Sequence, residues 1–168
     1  TVVVVGGVHG NEAAGYRAAH RVEDWTVERG TLVVIPEANP RAVANGTRKV
    51  DGRDLNAQFP VGERPTSAQA RVVWGVVERH NADVVVDLHS SSGGYGVDGG
   101  VGQAMFPTVT GPAVEHTDAA IERVNGRYEL TGNRSFRRGN VMGRSGTTLA
   151  RKVAGDANET AYIVETTT

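Results

Sequence analysis

The run Val2-Val3-Val4-Val5-Gly6-Gly7-Val8-His9-Gly10-Asn11-Glu12 decides how this chain is read. Four consecutive β-branched residues are the pattern of a strand buried on both faces, and the glycine pair that follows lets the backbone turn sharply. His9 therefore stands just past the carboxyl end of a strand. From Asn11 onward Ala13, Ala14, Tyr16, Arg17 and Ala18 read as a helix running to Val22, with Asn11 the expected N-cap. Side chains at i and i+3 project to one side of such a turn, so His9 and Glu12 can converge on one ion. A second apolar run, Val84-Val85-Val86-Asp87-Leu88-His89, delivers another imidazole to a strand's carboxyl end, where open α/β sheets place their ligands. Two imidazoles and a carboxylate are the protein ligands of a catalytic zinc site whose fourth position is left to water. The expectation is one Zn2+ per chain.

Taken singly, these residues have ordinary readings. A histidine after a strand is usually structural, and an acid in a first helical turn is favoured by the helix dipole. Their coincidence, a strand, Gly-Gly, a histidine and glutamate three apart and a later strand ending in Asp-Leu-His-Ser, carries the inference. His20, His80 and His116 lack such a setting and read as surface or helix residues.

Working outward, strand-like runs at Val2 to Val5, Leu32 to Ile35, Val84 to Leu88 and Ala161 to Val164 alternate with helical patterns. The helical patterns are Asn11 to Val22, Ser67 to His80, Pro112 to Asn125 and Thr147 to Ala154; the second places Ala70, Val73, Trp74 and Val77 on one face. Such alternation predicts an α/β fold, a three-layer sandwich of a mostly parallel or mixed sheet flanked by helices. With 168 residues the chain is expected to form a single domain. A net charge of -1 gives no electrostatic case for nucleic acid or an anionic membrane, and no apolar stretch approaches the length of a transmembrane helix. With zero cysteines a metal must be held by nitrogen and oxygen. No signal-peptide pattern is visible, so the expected location is cytoplasmic. Two segments interrupt the alternation. Glu37 to Pro65 is rich in Asn, Pro, Gly and Arg, and Gly93 to Gly111 is glycine-rich and could be a mobile wall over the site; long segments of this kind in small domains are often functional.

Gly6-Gly7-Val8-His9-Gly10-Asn11-Glu12, Asn39-Pro40-Arg41-Ala42-Val43, Asp54-Leu55-Asn56 with Phe59-Pro60, Asp87-Leu88-His89-Ser90 and Val164-Glu165-Thr166 together resemble the zinc carboxypeptidases, specifically their succinylglutamate desuccinylase and aspartoacylase branch. The resemblance implies an α/β sandwich and metal ligands His9, Glu12 and His89. It implies Glu165 as the general base that takes a proton from water and passes it to the leaving nitrogen. Arg48 is implied as the group that polarises the scissile carbonyl, with Arg53 as runner-up because the segment is one residue longer here, and Asn56 as a contact for a substrate carboxylate. Asp54 is expected to orient His9 through its other ring nitrogen. Residues 1 to 168 then form a single zinc-hydrolase catalytic domain, shorter at its carboxyl end than members of that branch. The expected substrate is a small anionic N-acyl amino acid. A peptide substrate, as for a carboxypeptidase, and an inactive metal-binding relative are the alternatives.

One position departs from the resemblance. Relatives usually carry an arginine after Asp-Leu-Asn that clamps the substrate's terminal carboxylate, and here that position is Ala57. Arg137 or Arg138 is the expected replacement cation, unless the substrate lacks the carboxylate. A nucleotide-binding reading of the glycine-rich first turn fails on spacing, since G-x-G-x-x-G is absent, and no G-x-S-x-G elbow surrounds Ser90.

Overall fold

The valine run forms β1 (Val2–Gly6) in a computed structural model that describes residues 1–167. Its three central valines are buried, as a strand covered on both faces requires. The chain continues through α1 (Ala13–Glu23), β2 (Leu32–Ile35), α2 (Pro40–Asn45), the short strands β3 (Lys49–Val50) and β4 (Arg53–Asp54), α3 (Ala68–Arg79) and β5 (Val84–Ser91). It ends with β6 (Ala104–Pro107), α4 (Ala113–Arg127), β7 (Arg137–Arg138), α5 (Leu149–Lys152) and β8 (Thr160–Thr167). One sheet has the order β2-β1-β5-β8-β6-β7, while β3 and β4 form a separate antiparallel ribbon. The first four strands of the large sheet are parallel; β6 runs antiparallel to β8 and parallel to β7. No helix among the described residues is long and apolar enough to cross a membrane.

The period-2 alternation of side chains sorts the sheet into two faces. Val3, Val5, Val85, Ala161 and Phe106 pack with Val73, Trp74 and Val77 of α3 and with Leu149 and Ala150 of α5 in one buried cluster. Helices α1 and α4 cover the other face, α1 on β1 and β5, α4 on β6. This is the three-layer α/β sandwich that the alternation of runs predicts. The Lys152 ammonium fixes α5 to the core: buried over the Trp74 ring, it donates to Asp156 and to the carbonyls of Pro60 and Glu63.

Several boundaries differ from the sequence expectation. Helix α1 begins at Ala13 with Glu12 as its N-cap residue and no side-chain cap, so Asn11 does not cap it; the Glu12 carboxylate is turned to the histidines instead. The expected helix Thr147 to Ala154 starts at Leu149, capped by Thr148, and runs on into a widened π turn, Val153–Ala157, closed by Asn158 at φ 58°. The segment Glu37 to Pro65 contains α2, which Asn39 caps by accepting from the Ala42 N–H. The glycine-rich segment contains β6, and the turns before it are pinned: Gly94 donates to Asp98 at 2.7 Å, and Tyr95 meets Phe106 edge to face. These contacts tie the turns to β6.

Helix α1 lies unusually close to the sheet because small residues face it. A Cβ at Gly15 would fall 2.2 Å from the Leu88 carbonyl oxygen, a backbone atom that cannot swing aside. Gly15→Ala is therefore expected to lose stability at the upper end of the usual overpacking cost of about 1 to 3 kcal/mol. In a chain of this size that is a fall in Tm of roughly 5 to 10 °C, read by thermal denaturation. An unchanged melting temperature would show that the helix can move away freely.

Candidate metal centre

Strand β1 ends at Gly6, and Gly7 turns the chain at φ 65° so that His9 drops back over the sheet. Glu12 follows at the start of α1, and His89 comes from β5, which lies beside β1 in parallel register. All three are buried. Nδ1 of His9 lies 2.7 Å from Glu12 Oε1, and Nδ1 of His89 donates to Glu12 Oε2 at 2.7 Å. The three ligand atoms lie within 4.8 Å of one another, and the two rings meet edge to face with centroids 5.1 Å apart.

Each imidazole is backed by a carboxylate on its far nitrogen. His9 Nε2 is 2.9 Å from Asp54 Oδ1, as the sequence suggests. His89 Nε2 is 3.1 Å from Asp87 Oδ2, an ion-pair distance without hydrogen-bond alignment. A carboxylate behind a ligand histidine fixes its orientation and raises its basicity, and is the usual surrounding of a metal-binding imidazole. The donor set of two nitrogens and one carboxylate, with Nδ1 of both rings aimed at one point, fits a zinc ion.

The charges agree. Burial alone would raise the Glu12 carboxyl, but hydrogen bonds and charge from His89 and His9 hold it well below the usual carboxylate range. Burial opposes charging of His89, yet the Asp87 and Glu12 carboxylates push it well above the ordinary imidazole value. Burial also acts to raise Asp54, and His9 and Arg48 overcome it to lower that group.

Glu165 sits beside His89 in the β5–β8 register, on the same face of the sheet. Its Oε2 is buried without a hydrogen-bond partner. Burial, reinforced by the Glu12 and Asp87 charges and only partly offset by the histidines, pushes its carboxyl up to about 7. Arg48 reaches the group from the other side, donating from Nη1 to Glu12 Oε1 at 2.9 Å and from Nε to Asp54 Oδ2 at 3.0 Å. The structure thus gathers His9, Glu12, His89, Asp54, Arg48 and Glu165 around one point.

With these residues placed, kinship becomes decisive. The family described as "Succinylglutamate desuccinylase/Aspartoacylase catalytic domain" matches residues 1–97, the stretch that holds His9, Glu12, Arg48, Asp54 and His89. The chain belongs to this family. Its members are hydrolases. A protein of Nostoc sp. (strain PCC 7120 / SAG 25.82 / UTEX 2576) described as "Probable aspartoacylase" is 30% identical over 111 residues, covering 57% of this chain and 37% of that protein. The chain therefore spans well under half the length of this curated relative. Its fold is similar to that of the tripeptide-bound cell shape determinant Csd4 of Helicobacter pylori, with a TM-score of 0.82 and 20% identity over 99% of this chain and 45% of that one. It is also similar to a succinylglutamatedesuccinylase/aspartoacylase of Rhodobacter sphaeroides, with a TM-score of 0.63 and 22% identity over 98% of this chain and 47% of that one.

The remaining sequence-derived positions of this desuccinylase/aspartoacylase family member are scattered. Asn56 follows Asp54 in a short 3-10 turn, and its side-chain oxygen is buried without a partner. Arg53 is exposed on the ribbon, and strand alternation turns it away from the face on which Asp54 meets His9. Arg138 donates to Asp118 of α4 at 2.7 Å, on the face of the sheet opposite His89. Arg137 lies on the face of His89 and Glu165. Asp87 was missed by motif reading, although an acid two residues before a strand histidine must share its face.

Proposed function

We propose that this chain is a single catalytic domain of a zinc-dependent hydrolase that cleaves the amide bond of a small N-acyl amino acid. The observation that supports it best is the buried His9, Glu12 and His89 group, with a carboxylate behind each imidazole and the unpartnered Glu165 carboxyl beside it. His9, Glu12 and His89 would hold the ion, which when bound supplies Lewis-acid polarisation of the carbonyl and acidifies water.

The chain's own residues do the rest. Glu165, partly buried and pushed up to about 7, accepts the proton of the attacking water and passes it to the leaving nitrogen. Arg48, steered by Asp54, offers its guanidinium to the carbonyl oxygen as negative charge develops there. Asn56 supplies a polar contact for a substrate carboxylate. Asp54 and Asp87 hold the imidazoles in place without touching substrate.

The test is hydrolysis by the zinc-loaded protein of a panel of N-acyl amino acids, N-acyl amides and short peptides, with a chelated sample as control. Turnover of N-acyl amino acids that disappears on chelation is expected. Cleavage confined to peptides would replace the reading with a carboxypeptidase, and no zinc-dependent turnover on any substrate would leave a metal-binding relative.

A further inference from the structure

Strand register places four residues in one row across the sheet. His89 pairs with Glu165, Glu165 pairs with Ala104 and Ala104 pairs with Arg137. Paired residues project to the same face, so Arg137 stands on the face of the metal centre, level with Glu165, with only the methyl group of Ala104 between them along the row. A second contact fixes the same orientation independently: a Cβ at Gly139, two residues on, would strike the Phe106 ring at 2.2 Å, and Phe106 belongs to the core on this face. Neighbouring strands are about 4.8 Å apart, so the Arg137 backbone lies roughly 10 Å from that of Glu165, much of it within reach of an arginine side chain.

The two adjacent arginines differ in what they do. Arg138 is spent on Asp118 at 2.7 Å. The Arg137 side chain is exposed and makes no hydrogen bond or ion pair among the described residues, its backbone N–H alone donating to the Gln103 carbonyl at 2.9 Å. Its Nη1 lies beside the glycine-rich wall, 4.0 Å from where a Cβ at Gly96 would stand. At the opposite side of the centre, Arg48 is held by Glu12 and Asp54, and Ala57 offers no charge.

We infer that Arg137 is the specificity-determining cation of this site, receiving a carboxylate of the substrate on the β7 side of Glu165. The inference rests on the proposed hydrolase reading for the identity of the reacting group, and on strand register for the position of the cation. A guanidinium with its fork free can take a carboxylate in two parallel hydrogen bonds, a geometry that an ammonium cannot reproduce. The substrate class is thereby narrowed to acyl compounds with an anionic group displaced from the scissile amide toward β7.

The experiment measures binding and turnover separately. Calorimetry on the zinc-loaded Glu165→Gln protein compares N-acyl amino acids with their carboxamides, and KM and kcat are taken in the otherwise wild-type protein. Adding Arg137→Ala is expected to weaken the carboxylates about tenfold or more while leaving the carboxamides within about twofold, with the loss in KM and kcat little changed. Arg137→Lys should restore part of the affinity, and Arg138→Ala should leave the discrimination intact. Unchanged carboxylate binding in Arg137→Ala, an equal loss for both forms, or the loss appearing in Arg53→Ala or Arg138→Ala instead would overturn the assignment. A wild type that binds carboxylates through Arg137 yet hydrolyses nothing would overturn the hydrolase reading and leave this one standing.

Discussion

Glu165→Gln is expected to hold one metal ion per chain and to lose turnover by about 10²- to 10⁴-fold. The amide keeps the size and burial of the carboxyl but cannot accept a proton, so substrate affinity should stay and kcat should collapse. Stability should move the other way. The Glu165 carboxyl is raised from 4.5 to about 7, so in the metal-free protein the folded state holds a proton more tightly than the unfolded chain does. A raised carboxyl costs stability progressively as pH climbs from about 4.5 to about 7, and the cost is constant above that. Chelated Glu165→Gln should therefore melt at a higher temperature than chelated wild type at pH 8, with the gap closing toward pH 4.5. Full activity in the variant would assign the base elsewhere, and a gap independent of pH would show that Glu165 is not strained by its burial.

His89→Ala is expected to abolish stoichiometric metal binding, read by elemental content after purification without added zinc. With the ion goes the stability it lends to the folded state. Ligand at 100 to 1,000 times its Kd contributes about 2.7 to 4.1 kcal/mol. In a chain of this size that is about 5 to 16 °C in Tm, and it should vanish on chelation in the wild type and be missing from the variant altogether. Asp87→Asn leaves all three ligands in place and is expected to weaken zinc about 10- to 100-fold by releasing the His89 ring from its backing carboxylate. Unaltered zinc content in His89→Ala would remove the metal centre from the account.

The central strands and the buried group of His9, Glu12 and His89 were legible because their signals are local and redundant. The β-branched runs of β1 and β5 read as buried strands without any knowledge of their neighbours, and each carries its histidine at its end. What escaped is what depends on distant partners. Strand β6 is only Ala104–Pro107, set in a glycine-rich segment and ending in proline, and it exists because β8 offers an antiparallel edge. Helix α2 was signalled by Asn39 and Pro40, a cap followed by a proline at the first turn, but the composition around it reads as loop. The end of α5 widens into a π turn that no period in the sequence encodes. Arg137 and Arg138 are interchangeable in a sequence; register and Asp118 separate them.

The close seating of α1 on the sheet has a consequence for how the ion is gained. Gly15 rests on the Leu88 carbonyl and Ala19 on Gly6, so backbone packing alone brings Glu12 to His89 across 77 positions of sequence. The ligands are preorganised. In a small zinc module the ion must first order its own cage, and the binding energy is spent on folding. Here that entropy is lost when the core forms, so the interaction of an ion held by His9, Glu12 and His89 would be expressed almost wholly as affinity, and the protein is expected to stay folded when that ion is removed.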